Sequence, residues 1–476
     1  MDIKSKKTIN AAFWYIITSF ISKALLYIFT PLYTRLLTVE EFGEYNNFIS
    51  WQNILVTLMS FDLAAAVSIA YYDFEEKKKF EGFINTISIL SYLIPALFCV
   101  IILVFGEFFS SLFSIRKEYL FILSVYICLG NTINIFLAEQ RVRLKYKLSA
   151  LLTVGAAIGT VACTLIFVFL FGDKLKGILW GGILVNAIVS FIIAIWIWIR
   201  NRSFKKEYAK YALSIAVPLV PHVLASTILG SADKVMITRY CGDKYTAMYG
   251  LVYTISLVVT MVASSINKAW TPWFFDRLKN NKKKYIKPVS NIIVTTIGVG
   301  AFFLCLMAPE VLHIIGGESY QEAAVVMPPI IISCIVNCVS TFYINIEFYN
   351  KKTMGISVAT VISAGVNVLL NWFFVKGYGY VAAAYTTVVS SILTLFFHIY
   401  KVKKQKMIDV FDNKYLLISV FVLSVSVELI IILYDMPIVR YIILAVLTIG
   451  VFTLIFLKKD SLIKIINSLR QVKEDE

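Results

Sequence analysis

The positions of the lysines and arginines constrain this chain more than any other feature. About fourteen apolar stretches of roughly 20 residues run along its 476 residues, and the cations gather in every second gap between them. A helix of that length crosses the about 30 Å of bilayer hydrocarbon. Cations in alternate gaps are the positive-inside pattern of a chain threaded repeatedly through a membrane. With the N-terminus inside, the inward segments carry Lys4, Lys6 and Lys7, then Lys77, Lys78 and Lys79, then Arg141, Arg143, Lys145 and Lys147. Further on come Arg200, Arg202, Lys205, Lys206 and Lys210, a six-cation run between Arg277 and Lys287, Lys351 and Lys352, Lys401 to Lys414, and the tail. Together these hold about 33 of the 45 Lys and Arg.

The pattern places spans near 12–36, 46–72, 83–104, 118–138, 149–171, 177–199, 211–238, 247–275, 288–308, 323–348, 354–375, 379–400, 415–434 and 438–457. Composition agrees: 59% of residues are hydrophobic and 16% charged, against about 45–50% and about 25% in soluble domains. The net charge of +16 does not indicate nucleic acid, because the cations follow the threading instead of gathering on one face. The first stretch outruns a signal sequence and lacks a small-residue cleavage site, so it reads as a retained span. Both termini are expected in the cytoplasm.

Gaps between spans are too short for a folded catalytic domain. Six of the seven cysteines lie in apolar spans and behave as small hydrophobes. Cys334 and Cys338 share a helix face, but no histidine joins them, so neither a metal nor a cofactor is expected. No GxxxxGK[ST] loop for ATP is present.

The chain echoes itself. Thr34-Arg35 and Tyr45 recur as Thr238-Arg239 and Tyr249, at a common offset of 204 residues (34 to 238, 45 to 249). Gly177-Ile178-Leu179-Trp180-Gly181-Gly182 opens the sixth span, and Gly379-Tyr380-Val381-Ala382-Ala383-Ala384 opens the twelfth. An even number of spans separates the copies, which makes the repeat parallel. The expected architecture is all-α and membrane-integral. It has about fourteen helices in two six-helix lobes, 1–205 and 206–405, with two further spans and a tail at 406–476.

Three segments resemble the Wzx-type polysaccharide flippases of the multidrug/oligosaccharidyl-lipid/polysaccharide exporter superfamily. They are Pro31-Leu32-Tyr33-Thr34-Arg35-Leu36-Leu37-Thr38-Val39-Glu40-Glu41-Phe42-Gly43-Glu44-Tyr45, Ser231-Ala232-Asp233-Lys234, and Ala269-Trp270-Thr271-Pro272-Trp273-Phe274. The family often carries an arginine near the inner end of its second helix. This chain reads Val67-Ser68-Ile69-Ala70-Tyr71-Tyr72 there, with none. The resemblance implies a two-lobed transporter that moves a lipid-linked oligosaccharide between leaflets by alternating access. Its partners would be that substrate, membrane lipids, and a polysaccharide polymerase or glycosyltransferases.

Charges inside hydrocarbon are the best pointers to a site, at roughly 2.5–3.5 kcal/mol each near a helix centre. Lys23 lies in span 1, Asp62 in span 2 and Lys268 in span 8. Lysine suits the phosphate of a lipid-linked sugar as a point charge. A plain Lys23–Asp62 ion pair is the structural alternative. If spans 1, 2, 7 and 8 line a cleft, as in the family, Lys23 and Lys268 face it. Asp233, Lys234, Asn267 and Trp270 complete the expected substrate set, Lys234 competing with snorkelling and Trp270 with interfacial anchoring. Pro31, Pro218 and Pro221 are candidate hinges, and His222 a candidate coupling group. Glu347 and Glu428 near span ends read as solvated, and His313 and His398 as interfacial.

Two competitors share some of these features. A multidrug exporter has the same architecture, but a cationic drug calls for an acidic site. A membrane-embedded polymerase or glycosyltransferase needs a catalytic cluster on a sizeable loop or domain.

Overall fold

A computed structural model describes residues 27–74 and 76–457, with isolated positions 14, 18 and 21. Lys23 lies outside the described residues. Two compact units divide the chain, 1–247 and 248–476. Twelve described helices are long and apolar enough to cross a membrane. Their bounds follow the hydropathic stretches closely.

In the first unit a helix at 27–36 (α1) is followed by α2 (Val39–Ser60), α3 (Leu63–Asp73), α4 (Lys77–Val104) and the short α5 (Gly106–Phe113). Next come α6 (Lys117–Leu129), α7 (Thr132–Val142), α8 (Tyr146–Leu170), α9 (Lys174–Arg200), α10 (Lys206–Ala216) and α11 (Val220–Cys241). α12 (Asp243–Lys279) crosses the boundary between the units. The second unit continues with α13 (Ile286–Leu306), α14 (Ala308–Gly316), α15 (Met327–Tyr349), α16 (Met354–Tyr378), α17 (Tyr380–Lys404), α18 (Asn413–Leu433) and α19 (Pro437–Leu457).

The segment 31–45 acquires a physical meaning. Thr38 caps α2: its hydroxyl accepts from the Glu41 N–H at 3.2 Å, and its own N–H donates to Glu41 Oε2 at 2.8 Å. That capping box satisfies two N–H groups that a helix start leaves orphaned. Gly43 sits so close to the neighbouring chain that an added Cβ would lie 1.8 Å from the Asp243 carbonyl oxygen. Glu44 accepts two guanidinium hydrogen bonds from Arg116, each of 2.8 Å.

Acid–base clusters hold both ends of the first unit. At the cation-poor end, Arg116 reaches Asp173 at 3.4 Å and Glu118 at 3.7 Å besides Glu44, joining α2, α6 and the start of α9. Desolvation pushes the Asp173 carboxyl up. The Lys176 N–H, the Tyr119 hydroxyl and the Arg116 charge outweigh it and hold the group below its ordinary value. At the cation-rich end Glu139, fully buried, lies 2.9 Å from both Arg143 and Arg200. Glu81 approaches the same two guanidinium groups at 3.9 and 3.7 Å. The arginine planes lie over Phe80 and Trp196. This network ties α4, α7 and α9.

The second unit shows a related design. Its buried glutamate is Glu347, on α15, with Oε1 2.5 Å from His398 Nδ1 of α17. Glu139 and Glu347 lie near the cation-rich ends of α7 and α15, and they meet bases from α9 and α17 respectively. The small-residue echoes also coincide. Gly181 places α9 against α8, with 2.3 Å to Thr164 Cα for an added Cβ. In the second unit Ala383 and Ala384, near the start of α17, are fully buried, and α17 packs on both α15 and α16. Of the two final spans, α18 rests on α13 at Gly298, where an added Cβ would lie 2.3 Å from Leu423 Cδ1. α19 is tied to α14 by Arg440 and Tyr441, both bonded to Glu310.

Candidate functional site

Two contacts determine how α2 lies on α11. Gly43 meets Asp243 just beyond the end of α11, and Thr57 Oγ1 lies 3.1 Å from Thr227 Oγ1. Residue numbers rise along one helix as they fall along the other, so the pair is antiparallel. Five residues past Thr57 comes Asp62, and five before Thr227 comes His222. The two are level.

Both helices break at that level. Phe61 and Asp62 adopt left-handed conformations, each with φ 48°. That costs about 1–2 kcal/mol per residue for side chains of this kind. The Asp62 N–H donates to Ser60 Oγ at 3.3 Å, and its carbonyl accepts from the Ala65 N–H at 2.9 Å. The half-buried Asp62 carboxylate has no hydrogen bond or ion pair among the described residues. Opposite, α10 gives way to a 3-10 turn, Val217–Leu219, before α11 begins. Pro218 lies in that turn and Pro221 in the first turn of α11. Neither ring nitrogen can donate, so the helix cannot run through regularly. The buried Nδ1 of His222 has no partner among the described residues. Broken helices inside a membrane persist where protein or water takes up the freed backbone groups, which is where transporters place sites.

α12 carries a second polar centre. Asn267 Oδ1 accepts from Asn345 Nδ2 at 2.8 Å and Trp270 Nε1 at 3.2 Å. Asn267 and Ser264 line a cavity of about 160 Å3 with Asn337, Thr341, Cys334 and Cys338. Pro272 removes the donor that the Lys268 carbonyl would otherwise meet, and Lys268 itself is exposed.

The expected residues thus separate into groups. Asp62 lies at the break between α2 and α3, and Pro218, Pro221 and His222 lie where α10 passes into α11, all in the first unit. Asp233 is buried and Lys234 half-buried on α11, beyond Thr227 from that break. Asn267 and Trp270 are bonded to each other. The Trp270 ring is 3% exposed, stacked on Phe274 at 4.9 Å and against Phe342 at 5.2 Å. Pro31 lies within the 27–36 helix, where Thr34 Oγ1 returns a hydrogen bond to the Pro31 carbonyl at 3.1 Å.

Of the two buried glutamates, Glu139 is not among the expected site residues and Glu347 is expected to be solvated. Glu347 is not solvated, and His398 is no exposed interfacial group: each is at most 1% exposed, in contact with the other. The i, i+4 pair Glu139 and Arg143 was legible in the sequence, whereas Glu81 and Arg200 join it only through packing.

Membrane-crossing helices in two units, with polar groups at mid-span helix breaks, define a multi-pass membrane protein with a transporter fold. The chain belongs to the polysaccharide biosynthesis protein family, whose profile matches residues 9–278. It is 23% identical over 364 residues to a protein of the Lsg locus of Haemophilus influenzae, covering 73% of this chain and 86% of that one. Its fold is similar to the lipid II flippase MurJ in an inward closed conformation, with TM-score 0.68 and 14% identity over 92% of this chain and 98% of that one. It is also similar to an inward-facing multidrug resistance MATE transporter of the MOP superfamily, with TM-score 0.63 and 14% identity over 82% and 98% of the two chains.

Proposed function

We propose that this protein is a flippase carrying a polyprenyl-(pyro)phosphate-linked oligosaccharide from the inner to the outer leaflet of a bacterial cytoplasmic membrane, for cell-surface polysaccharide assembly. One observation carries the reading. A polysaccharide-biosynthesis family member here consists of membrane-crossing helices joined by short connections. Such a chain has little extramembrane material for a polymerising or glycosyl-transferring centre, while the lipid-linked intermediate still has to change sides.

The chemistry of the polar residues is compatible. A phosphate leaving water needs cations that replace its hydration, and Lys234 and Lys268, with Lys23, supply ammonium groups in three different spans. Asn267 offers the amide chemistry that sugar hydroxyls accept. Asp62, level with His222, gives a carboxylate and an imidazole at two helix breaks. Loading and unloading a proton or another cation there would couple the backbone conformation to an ion gradient. Transport would then proceed by alternating access. Glycosyltransferases and a polymerase would act before and after the step.

Purified protein in proteoliposomes tests this with a fluorescent polyprenyl-pyrophosphate oligosaccharide whose glycan is readable by an external lectin. The expected result is protein-dependent appearance of the glycan on the opposite face. Glycolipid that stays on its original side, in vesicles that do export a small organic cation, refutes the reading in favour of a multidrug exporter.

A further inference from the structure

An unassigned cavity of about 450 Å3 lies in the first unit. It sits at a third helix break, where α6 ends at Leu129 and α7 begins at Thr132. Gly130 lies at this break, with the Tyr126 ring beside it, 3.6 Å from where a Cβ would stand. Alanines 156 and 157 give α8 a low wall on the far side, and Asn186 of α9 closes the third.

Among the described residues the lining contains no Asp, Glu, Lys, Arg or His. A phosphate or an organic cation placed there would lose its hydration without a counter-charge, which costs several kcal/mol or more. Yet the walls include polar groups. Asn186 Nδ2 is held by the Gly182 carbonyl at 3.2 Å and Thr160 Oγ1 at 3.5 Å, so the orientation of its amide is set and Oδ1 is left without a protein partner among the described residues. The Asn134 amide and the Tyr126 hydroxyl likewise have none. An amide donates and accepts, a phenol does both, and a ring face receives C–H groups. Uncharged hydrogen-bonding groups beside aromatic faces are complementary to a pyranose, whose ring edges carry hydroxyls and whose faces carry C–H bonds. The volume falls within the about 300–1,000 Å3 of small-molecule sites.

We propose that this cavity binds one uncharged sugar ring of the transported glycan, apart from the charged groups that would receive its phosphate. The proposal rests on the flippase reading for the origin of the sugar. The same hydroxyl chemistry could come from a neutral lipid headgroup, and the test separates the two.

Saturation-transfer NMR on the full chain in lipid nanodiscs would use methyl glucoside, methyl galactoside and methyl N-acetylglucosaminide as probes, with glycerol and a sugar-free polyprenyl phosphate as competitors. Transfer to at least one pyranoside is expected, neither competitor removing it. A fivefold or greater loss is expected in the Asn134→Ala/Asn186→Ala double variant, and separately in Ala157→Leu, which fills the space without removing a polar group. No transfer to any pyranoside, transfer unchanged in a variant that retains its melting temperature, or displacement by glycerol would each overturn the site. Flipping of the lipid-linked oligosaccharide is measured in parallel. Pyranoside binding without flipping leaves the site standing and removes the flippase reading. Flipping with unaltered variants does the reverse.

Discussion

The hydroxyls of Thr57 and Thr227 lie 3.1 Å apart, and that hydrogen bond registers the second span against the seventh. With Gly43 lodged against the Asp243 carbonyl, it brings Asp62 level with His222, at a place where both helices are interrupted. Asp62→Asn preserves the shape of the side chain and removes its charge. Flipping should fall roughly tenfold or more, about 1.4 kcal/mol on the barrier, with little change in melting temperature. Thr57→Val should cost about 1 kcal/mol of stability and have the smaller effect on transport. Flipping rates and melting curves of the two variants decide this.

Gly43 has no room for a methyl group, because the obstacle is a backbone oxygen at 1.8 Å and not a side chain that can turn aside. Gly43→Ala should therefore destabilise the first unit by about 1–3 kcal/mol or more. Gly182, with open space around its Cβ direction, should accept alanine with a small gain or none. Thermal unfolding of the two purified variants in one detergent compares them directly. Equal melting points would show that α2 does not approach Asp243 this closely.

The two charge clusters of the first unit differ in burial, and so in worth. Glu139 is fully buried between two arginines. Glu139→Ala leaves the two guanidinium groups with only the more distant Glu81 and should cost up to about 3–5 kcal/mol. The Arg116 side chain is 44% exposed, so Arg116→Ala should cost about 1 kcal/mol or less. Expression level and thermal stability report the difference. The reverse order would contradict the burial of Glu139.

Acid should loosen the cation-poor end of the first unit. The Asp173 carboxyl is held below its ordinary value of 3.8. A carboxyl depressed by folding contributes stability that is complete above its unfolded value and is lost as pH falls through the folded one. The loss therefore sets in below about pH 4. Asp173→Asn should remove that part of the acid sensitivity and leave neutral stability slightly lower. Melting temperatures of wild type and variant between pH 3 and 7 should converge at the acid end.

Lys268 is exposed and makes no ion pair among the described residues. Lys268→Ala should change stability by no more than about 0.5 kcal/mol. If its ammonium meets the substrate phosphate, the same change slows flipping, and Lys268→Arg restores part of the rate. A normal rate in Lys268→Ala would take this residue out of the transport path.

Much of the fold could be read along the chain. The stretch placed at 149–171 is α8, and that placed at 379–400 is α17, each within a few residues. The charged gap at Arg141 to Lys147 does turn the chain between α7 and α8. The breaks were less legible. Pro218 and Pro221 announce one of them, but no proline or glycine marks the left-handed turn at Phe61 and Asp62. Asp62 stood out by its charge. Glu347 did not, because a carboxylate near a span end is ordinarily wet, and its burial depends on His398, 51 residues away in sequence.

The sequence by itself determined that the chain is built of membrane-crossing helices and the order in which they follow, and it set the expectation for their direction. Those follow from local quantities: the length of apolar chain that crosses hydrocarbon, and the side on which cations remain in water. Only the tertiary structure decided which polar groups share a level or a cavity. That depends on the rotation and register of helices far apart in the chain, which a glycine at position 43 and a threonine pair set and no periodicity encodes.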